Sequence, residues 1–279
     1  MMKRIKKKTE NFVGQKITNV ILHSLLLAML VAPVAEGHAE PRHEAGIYNW
    51  QGHGGAVLFQ HQHAAESLGL SALMSDTQVD RWTAVPGDFE SWQVVAMHRT
   101  QLLFVQAEDG YMAFASLDTN GQVVTWTPLQ ADEHHGGGAV ALEGNSVLFQ
   151  YSPHGPLTVI HFDEGGQVEA QRVLWQDAMG WFARGMDANR ILLEHAHSGE
   201  VTVLALNPTG RNHRPYPAFT LASGWSVRDF AGDTVLLYNS ENAEAGLLQL
   251  GDQYQPTRET DLLGAENGWM AIALSRGIE

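Results

Sequence analysis

Val57-Leu58-Phe59, Leu102-Leu103-Phe104, Val147-Leu148-Phe149, Ile191-Leu192-Leu193 and Val235-Leu236-Leu237 begin 45, 45, 44 and 44 residues apart. A fixed period of this length marks a repeat architecture, and short strands between turns at that period point to propeller blades rather than helical solenoid units. The chain therefore reads as all-β, a five-bladed β-propeller built from five repeats of about 45 residues.

The flanks of the triplets repeat as well. A small residue followed by an aromatic recurs at Ser91-Trp92, Gly180-Trp181, Gly224-Trp225 and Gly268-Trp269, with Gly46-Ile47 and Gly136-Gly137 as degenerate copies. Downstream stand Asp118-Thr119-Asn120-Gly121, Asp163-Glu164-Gly165-Gly166 and Asn207-Pro208-Thr209-Gly210. These are hairpin turns by chemistry, since Asn, Asp and Gly tolerate positive φ and Pro pre-sets a turn. Asp76-Thr77-Gln78 and Gly251-Asp252-Gln253 are weaker copies. Each repeat thus predicts four strands, A to D: A from the Gly-Trp pair, B on the triplet, C before the turn and D after it. In the second repeat they fall at 92–97, 101–106, 111–117 and 123–129. The sixth start, Gly268–Leu274, is expected to close the ring beside the first repeat, in place of or next to Gly46–Gln51. A double sandwich and an open solenoid are the competing architectures, the latter wanting polar caps where Gly268–Leu274 is apolar.

Residues 1–39 read as a signal peptide and short leader: Lys3, Arg4, Lys6, Lys7, Lys8 and Lys16 precede an apolar run from Val20 to Ala35. Cleavage is expected near Ala35, Gly37 or Ala39, leaving 40–279 as a single propeller domain with no membrane span. An uncleaved N-terminal anchor is the alternative, although 16 residues are short for a spanning helix. Beyond residue 39 the chain has no lysine, and 11 arginines face 29 acidic residues, a formal −18. A phosphate backbone needs a basic surface to release its counterions, so nucleic acid is excluded as a partner. Cysteine is absent, so the exported, periplasmic or extracellular product relies on burial without disulfides.

With its Gly-Trp starts, Leu/Phe-rich strands and turns ending in Gly, the chain over about 46–274 resembles the tachylectin-2-like five-bladed β-propeller lectins. That resemblance implies sugar binding. It assigns no residue here, because the Asn-Trp pairing of that family's units is missing.

Antiparallel blades put the B–C and D–A connections on one face and the A–B turns on the other. The first face collects Trp92, Trp181, Trp225 and Trp269, together with His61, Gln106, Tyr151, His195 and Asn239, each four places after the first residue of its triplet. All five of the latter both donate and accept hydrogen bonds, which beside aromatic rings suits carbohydrate. The alternative for the Trp residues is inter-blade core, and for the polar ring the satisfaction of strand ends. His61 with His63 and His195 with His197 are candidate ligands for a divalent metal, imidazole suiting Zn, Cu or Ni, but neither pair supplies a third ligand. No other cofactor is indicated.

No Gly-x-Ser-x-Gly elbow, His-Glu-x-x-His or phosphate-binding loop occurs, so the sequence points to binding rather than catalysis and offers no catalytic residue. His134-His135-Gly136-Gly137-Gly138 holds two general-base candidates beside flexible glycines. The expected function is an exported, lectin-like binding module that recognises glycan or envelope polysaccharide on one face. A periplasmic or envelope protein-interaction scaffold is the first alternative, and a metal-assisted propeller hydrolase or lyase the second.

Overall fold

In each blade the triplet strand is buried on both sides, and this explains why it is apolar throughout instead of alternating. Leu58 packs with Leu102 and Phe104 of the next blade, whereas Val57 and Phe59 turn the other way, toward Leu236 and Leu247. The same split recurs around the molecule, placing one hydrophobic cluster between each pair of neighbouring blades. All five triplets are between 0% and 2% exposed. At roughly 1.5–3 kcal/mol for each large apolar side chain taken out of water, these seams are the main source of stability.

A computed structural model describes residues 55–61, 64–73, 79–87, 89, 91–106, 108–130, 138–206, 213–262 and 269–276. The expected leader at 1–39, the Gly46–Gln51 start, His63, the Asp76 and Asn207–Gly210 turns and the His134–Gly137 loop lie outside the described residues. The first blade supplies β1 (Gly55–His61), β2 (Ala64–Leu73) and β3 (Val79–Val85). The second comprises β4 (Trp92–His98), β5 (Gln101–Gln106), β6 (Met112–Leu117) and β7 (Val123–Leu129). The third is β8 (Ala139–Glu143), β9 (Ser146–Phe149), β10 (Leu157–Phe162) and β11 (Val168–Trp175). The fourth is β12 (Trp181–Asp187), β13 (Arg190–His195) and β14 (Glu200–Leu206), edged by two short pieces, β15 (His213–Pro215) and β16 (Phe219–Thr220). Pro215 and Pro217 lack the N–H a continuous ladder needs, so prolines break this strand at a blade edge, where they are tolerated. The fifth is β17 (Trp225–Ala231), β18 (Thr234–Asn239), β19 (Glu244–Leu250) and β20 (Pro256–Leu262).

The last strand, β21 (Trp269–Arg276), does not start a sixth blade. It pairs antiparallel with β1, Trp269 opposite His61 and Leu274 opposite Val57, giving the sheet order β21-β1-β2-β3. The inner strands β21, β4, β8, β12 and β17 contact one another in a closed ring. The architecture is therefore an all-β five-bladed propeller of four-stranded sheets, closed as the repeat pattern implied.

Turn chemistry matches the sequence where the turns are described. Asp118 Oδ1 accepts the N–H groups of Asn120 and Gln122, each at 2.8 Å, and these bonds hold its carboxyl below the usual carboxylate range. Asp163 Oδ1 likewise accepts the N–H groups of Gly165 and Gln167, at 2.9 and 2.8 Å. Gly121 and Gly166 supply the positive φ, at 76° and 80°.

On the same face as these turns, successive blades are latched by side chains at the ends of the inner strands. His98 Nδ1 accepts the N–H of Gly144 at 3.0 Å, and Asp187 Oδ2 that of Gly232 at 2.9 Å. Ser275 Oγ donates to the Arg99 carbonyl. Each reaches the A–B turn of the next blade. Arg190 completes the joint between blades 4 and 5, bonding Asp187, Asp233 and Tyr254 with its guanidinium over the Phe230 and Tyr254 rings.

The closing strand has a latch of its own. Asp229 of β17 accepts the N–H of Phe230 at 2.7 Å and, across the seam, that of Leu274 in β21 at 2.8 Å. Burial pushes its carboxyl from an ordinary 3.8 up to about 8, against these two bonds and with the nearby Asp187 adding to the rise. The folded state thus keeps a proton that the unfolded chain releases, and between these two values each rise in pH favours unfolding. Thermal melts between pH 4 and 9 are expected to show a loss of stability across that window, levelling off above about 8. Subtracting the same series for Asp229→Asn isolates this component, and an identical pH profile in the variant would refute it.

Candidate functional site

The inner strands begin where the chain turns from a D strand into the next blade. Trp181 N–H bonds the Ala178 carbonyl and Trp225 N–H that of Ala222, with Gly180 and Gly224 at φ 93° and 84°. Each Gly is required sterically as well. A Cβ at Gly180 would lie 2.9 Å from His195 Nε2, and one at Gly224 2.9 Å from Asn239 Oδ1.

The structure pairs the two sets of candidate residues across strands. Trp92 stands opposite Gln106, Trp181 opposite His195, Trp225 opposite Asn239 and Trp269 opposite His61. The side chains of His61 and Trp269 lie outside the described residues. The three other Trp residues are half-buried and pack on the inter-blade clusters. Trp92 meets Trp126 edge-on at 5.0 Å, and Trp225 covers Gly246.

Two of the polar partners serve the chain itself. Asn239 is buried and accepts the Glu241 N–H at 2.9 Å, closing the B–C connection of blade 5. His195 shares a 3.0 Å hydrogen bond between Nδ1 and the Ser198 hydroxyl, which in turn donates to Glu200, and its ring meets Trp181 edge-on at 5.0 Å. His197 sits in the turn beyond β13, its ring centroid 6.1 Å from that of His195. Among the described residues no three His, Asp or Glu side chains are grouped to hold a metal.

Tyr151 behaves differently. Its ring lies over Gly138, where a Cβ would stand 2.6 Å away, and the residue is 55% exposed. Gly138, one place after the Trp column and equivalent to Gln93 in blade 2, makes room for it. The loop after it reaches blade 4, since Gly180 N–H bonds the Pro153 carbonyl and His154 Nδ1 lies 3.8 Å from Asp177. Met179, 67% exposed, stands at the same seam. Beneath it Gln150 donates to the Trp181 carbonyl and accepts from Ala183 N–H, both at 2.7 Å, tying blade 3 to the inner strand of blade 4.

Sequence reasoning passed over the axis. The ladder slips at one equivalent place on every inner strand, leaving Val95, Val140, Arg184, Arg228 and Ile272 unopposed. Such β-bulges re-aim side chains and gather beside functional sites. On four inner strands the bulged residue is accessible between buried neighbours, and on β8 Val140 stands between half-buried Ala139 and buried Ala141, so the five line the axial opening. A column of three aliphatic residues and two arginines, at the same place in each repeat, was the available signal.

No protein-family model matches the chain, and no curated protein matches it in sequence. Solved structures do resemble it. One from the nidogen/laminin complex is 10% identical with a TM-score of 0.51, covering 81% of this chain and 99% of that one. A putative 6-phosphogluconolactonase from Bacteroides uniformis is 11% identical over 74% of this chain and 67% of that one, with a TM-score of 0.39. A luciferin-regenerating enzyme is 9% identical over 75% and 77%, also at 0.39. The class defined by the repeat, the ring and the nidogen/laminin likeness is the β-propeller, in a five-bladed form.

Two substitutions separate platform from core. Trp181→Ala removes packing between blades 3 and 4, at a cost of about 2–4 kcal/mol. Gln150→Ala leaves the Trp181 carbonyl and Ala183 N–H unpaired, costing about 1–3 kcal/mol. Denaturant unfolding reads both, and an unchanged midpoint for Trp181→Ala would place that ring outside the core.

Proposed function

We propose that the protein is an exported binding module, resembling the tachylectin-2-like lectins, which takes carbohydrate at the seam of blades 3 and 4. The observation that carries this reading is the Tyr151 ring, seated on Gly138 with much of its surface open to solvent. A sugar ring presents C–H groups on its face and hydroxyls at its edge, so an exposed aromatic beside polar groups is its natural counterpart. Tyr151 supplies the stacking surface, while His154 and Asp177, 59% to 69% exposed at their side chains, supply hydrogen bonds. The half-buried Trp181 supports the platform from the core of the same seam. The leader at 1–39 directs the chain to the periplasm or the cell exterior, where envelope polysaccharide is the available polyvalent glycan.

A second reading rests on Met179, more exposed than the tyrosine beside it. Aromatic residues and Met are enriched at protein interfaces, and the same seam then docks an envelope protein.

The experiment is a glycan array and envelope-polysaccharide binding assay, run with and without EDTA on the wild type and Tyr151→Ala. Binding that survives EDTA and falls at least tenfold in Tyr151→Ala is the expected result. Absence of binding across both panels would move the function to the protein-docking reading, and loss with EDTA would implicate the histidine pairs.

A further inference from the structure

Arg184 and Arg228 occupy equivalent bulges on neighbouring inner strands of the ring, so both side chains leave the backbone beside the axis. Arg184 donates through Nε to Glu194 Oε2 at 2.7 Å, and its terminal nitrogens make no hydrogen bond among the described residues. Arg228 lies over the Tyr238 ring at 4.8 Å and has no hydrogen bond or ion pair among the described residues. Its partial desolvation pulls the guanidinium below its ordinary value and the charge of Arg184 pulls further, against Tyr238 and Glu194. Two cations thus share one carboxylate in a chain that is otherwise strongly acidic.

The rest of the ring has another character. Val95, Val140 and Ile272 hold the bulges of blades 2, 3 and 1, so the opening is cationic on the side of blades 4 and 5 and aliphatic across from it. Planar guanidinium forks with free donors match a carboxylate bidentately, and an aromatic ring under each, Phe182 at 5.1 Å for Arg184 and Tyr238 for Arg228, fixes its plane. A mostly apolar pocket with a few placed polar groups is the usual form of a small-molecule site.

From this asymmetry we infer that the axial opening binds a small monocarboxylate with an apolar body, its carboxylate on Arg228 and Arg184 and its body against Val95, Val140 and Ile272. The inference does not depend on the carbohydrate reading. No bond is made or broken; the protein holds the anion.

The test is isothermal titration of the full chain with benzoate and hexanoate, with inorganic phosphate and benzyl alcohol as the anion without a body and the body without a charge. Both carboxylates are expected to bind, with phosphate and benzyl alcohol at least tenfold weaker. Arg228→Gln should weaken carboxylate binding tenfold or more and Arg228→Lys by less, while Arg258→Gln on β20 leaves it unchanged. A thermal melt of each variant confirms folding. No binding of either carboxylate at 10 mM, phosphate binding as tight as benzoate, or an unchanged affinity in folded Arg228→Gln would each overturn the assignment.

Discussion

The second strand of each blade has no solvent face. Successive residues of one triplet face opposite neighbours, so every blade supplies half of two clusters and none can be satisfied alone. This is the constraint from which the remainder follows. A sheet buried on both sides must have a sheet on both sides, and the arrangement that leaves no blade short of a neighbour is a ring. The polar ties described above, Gln150 reaching into blade 4 and Asp187 into the turn of blade 5, act on seams that burial has already brought together. Their contribution is to fix register and angle, since hydrogen bonds are directional where apolar contact is not.

Strand existence and strand order were legible in the sequence because both come from the repeat. The expected strands of the second repeat agree with the observed ones to within a residue at each end. Closure was legible too, since a sixth Gly-Trp start with only five triplets leaves one strand without a blade. The site was less so. Trp181 and Trp225 stand at the predicted positions, yet packing rather than repeat position decides whether a ring meets solvent or core. His195 and Asn239 keep their turns in order, a role that depends on Ser198 and Glu241 further along the chain and leaves no periodic trace. Tyr151 lies over Gly138, a glycine where blade 2 has Gln93, blade 4 Phe182 and blade 5 Ser226, so a departure from the repeat seats the exposed ring.

The axial arginines show a different limit. A bulge inserts one residue without altering composition, and a period-2 reading of the inner strand assigns the extra residue to a buried face. Only comparison of the five repeats column by column reveals that two blades place guanidinium where three place aliphatic carbon. Departures from the repeat, rather than the repeat, distinguish blades 3, 4 and 5. An ideal five-fold ring would present the same surface five times, whereas this one sets an open tyrosine on blade 3 and axial arginines on blades 4 and 5.

The pairing of β21 with β1 also sets a clock on biogenesis. The inner edge of the first blade waits for a strand that lies more than two hundred residues further along the chain. Until synthesis has passed Arg276, the first and fifth blades each lack a wall, and the triplets Val57-Leu58-Phe59 and Val235-Leu236-Leu237 have apolar surface with no partner. A chain in that condition stays unfinished at both sides of the last seam. It remains loose until its final strand is made, and locks only when that strand arrives beside the first.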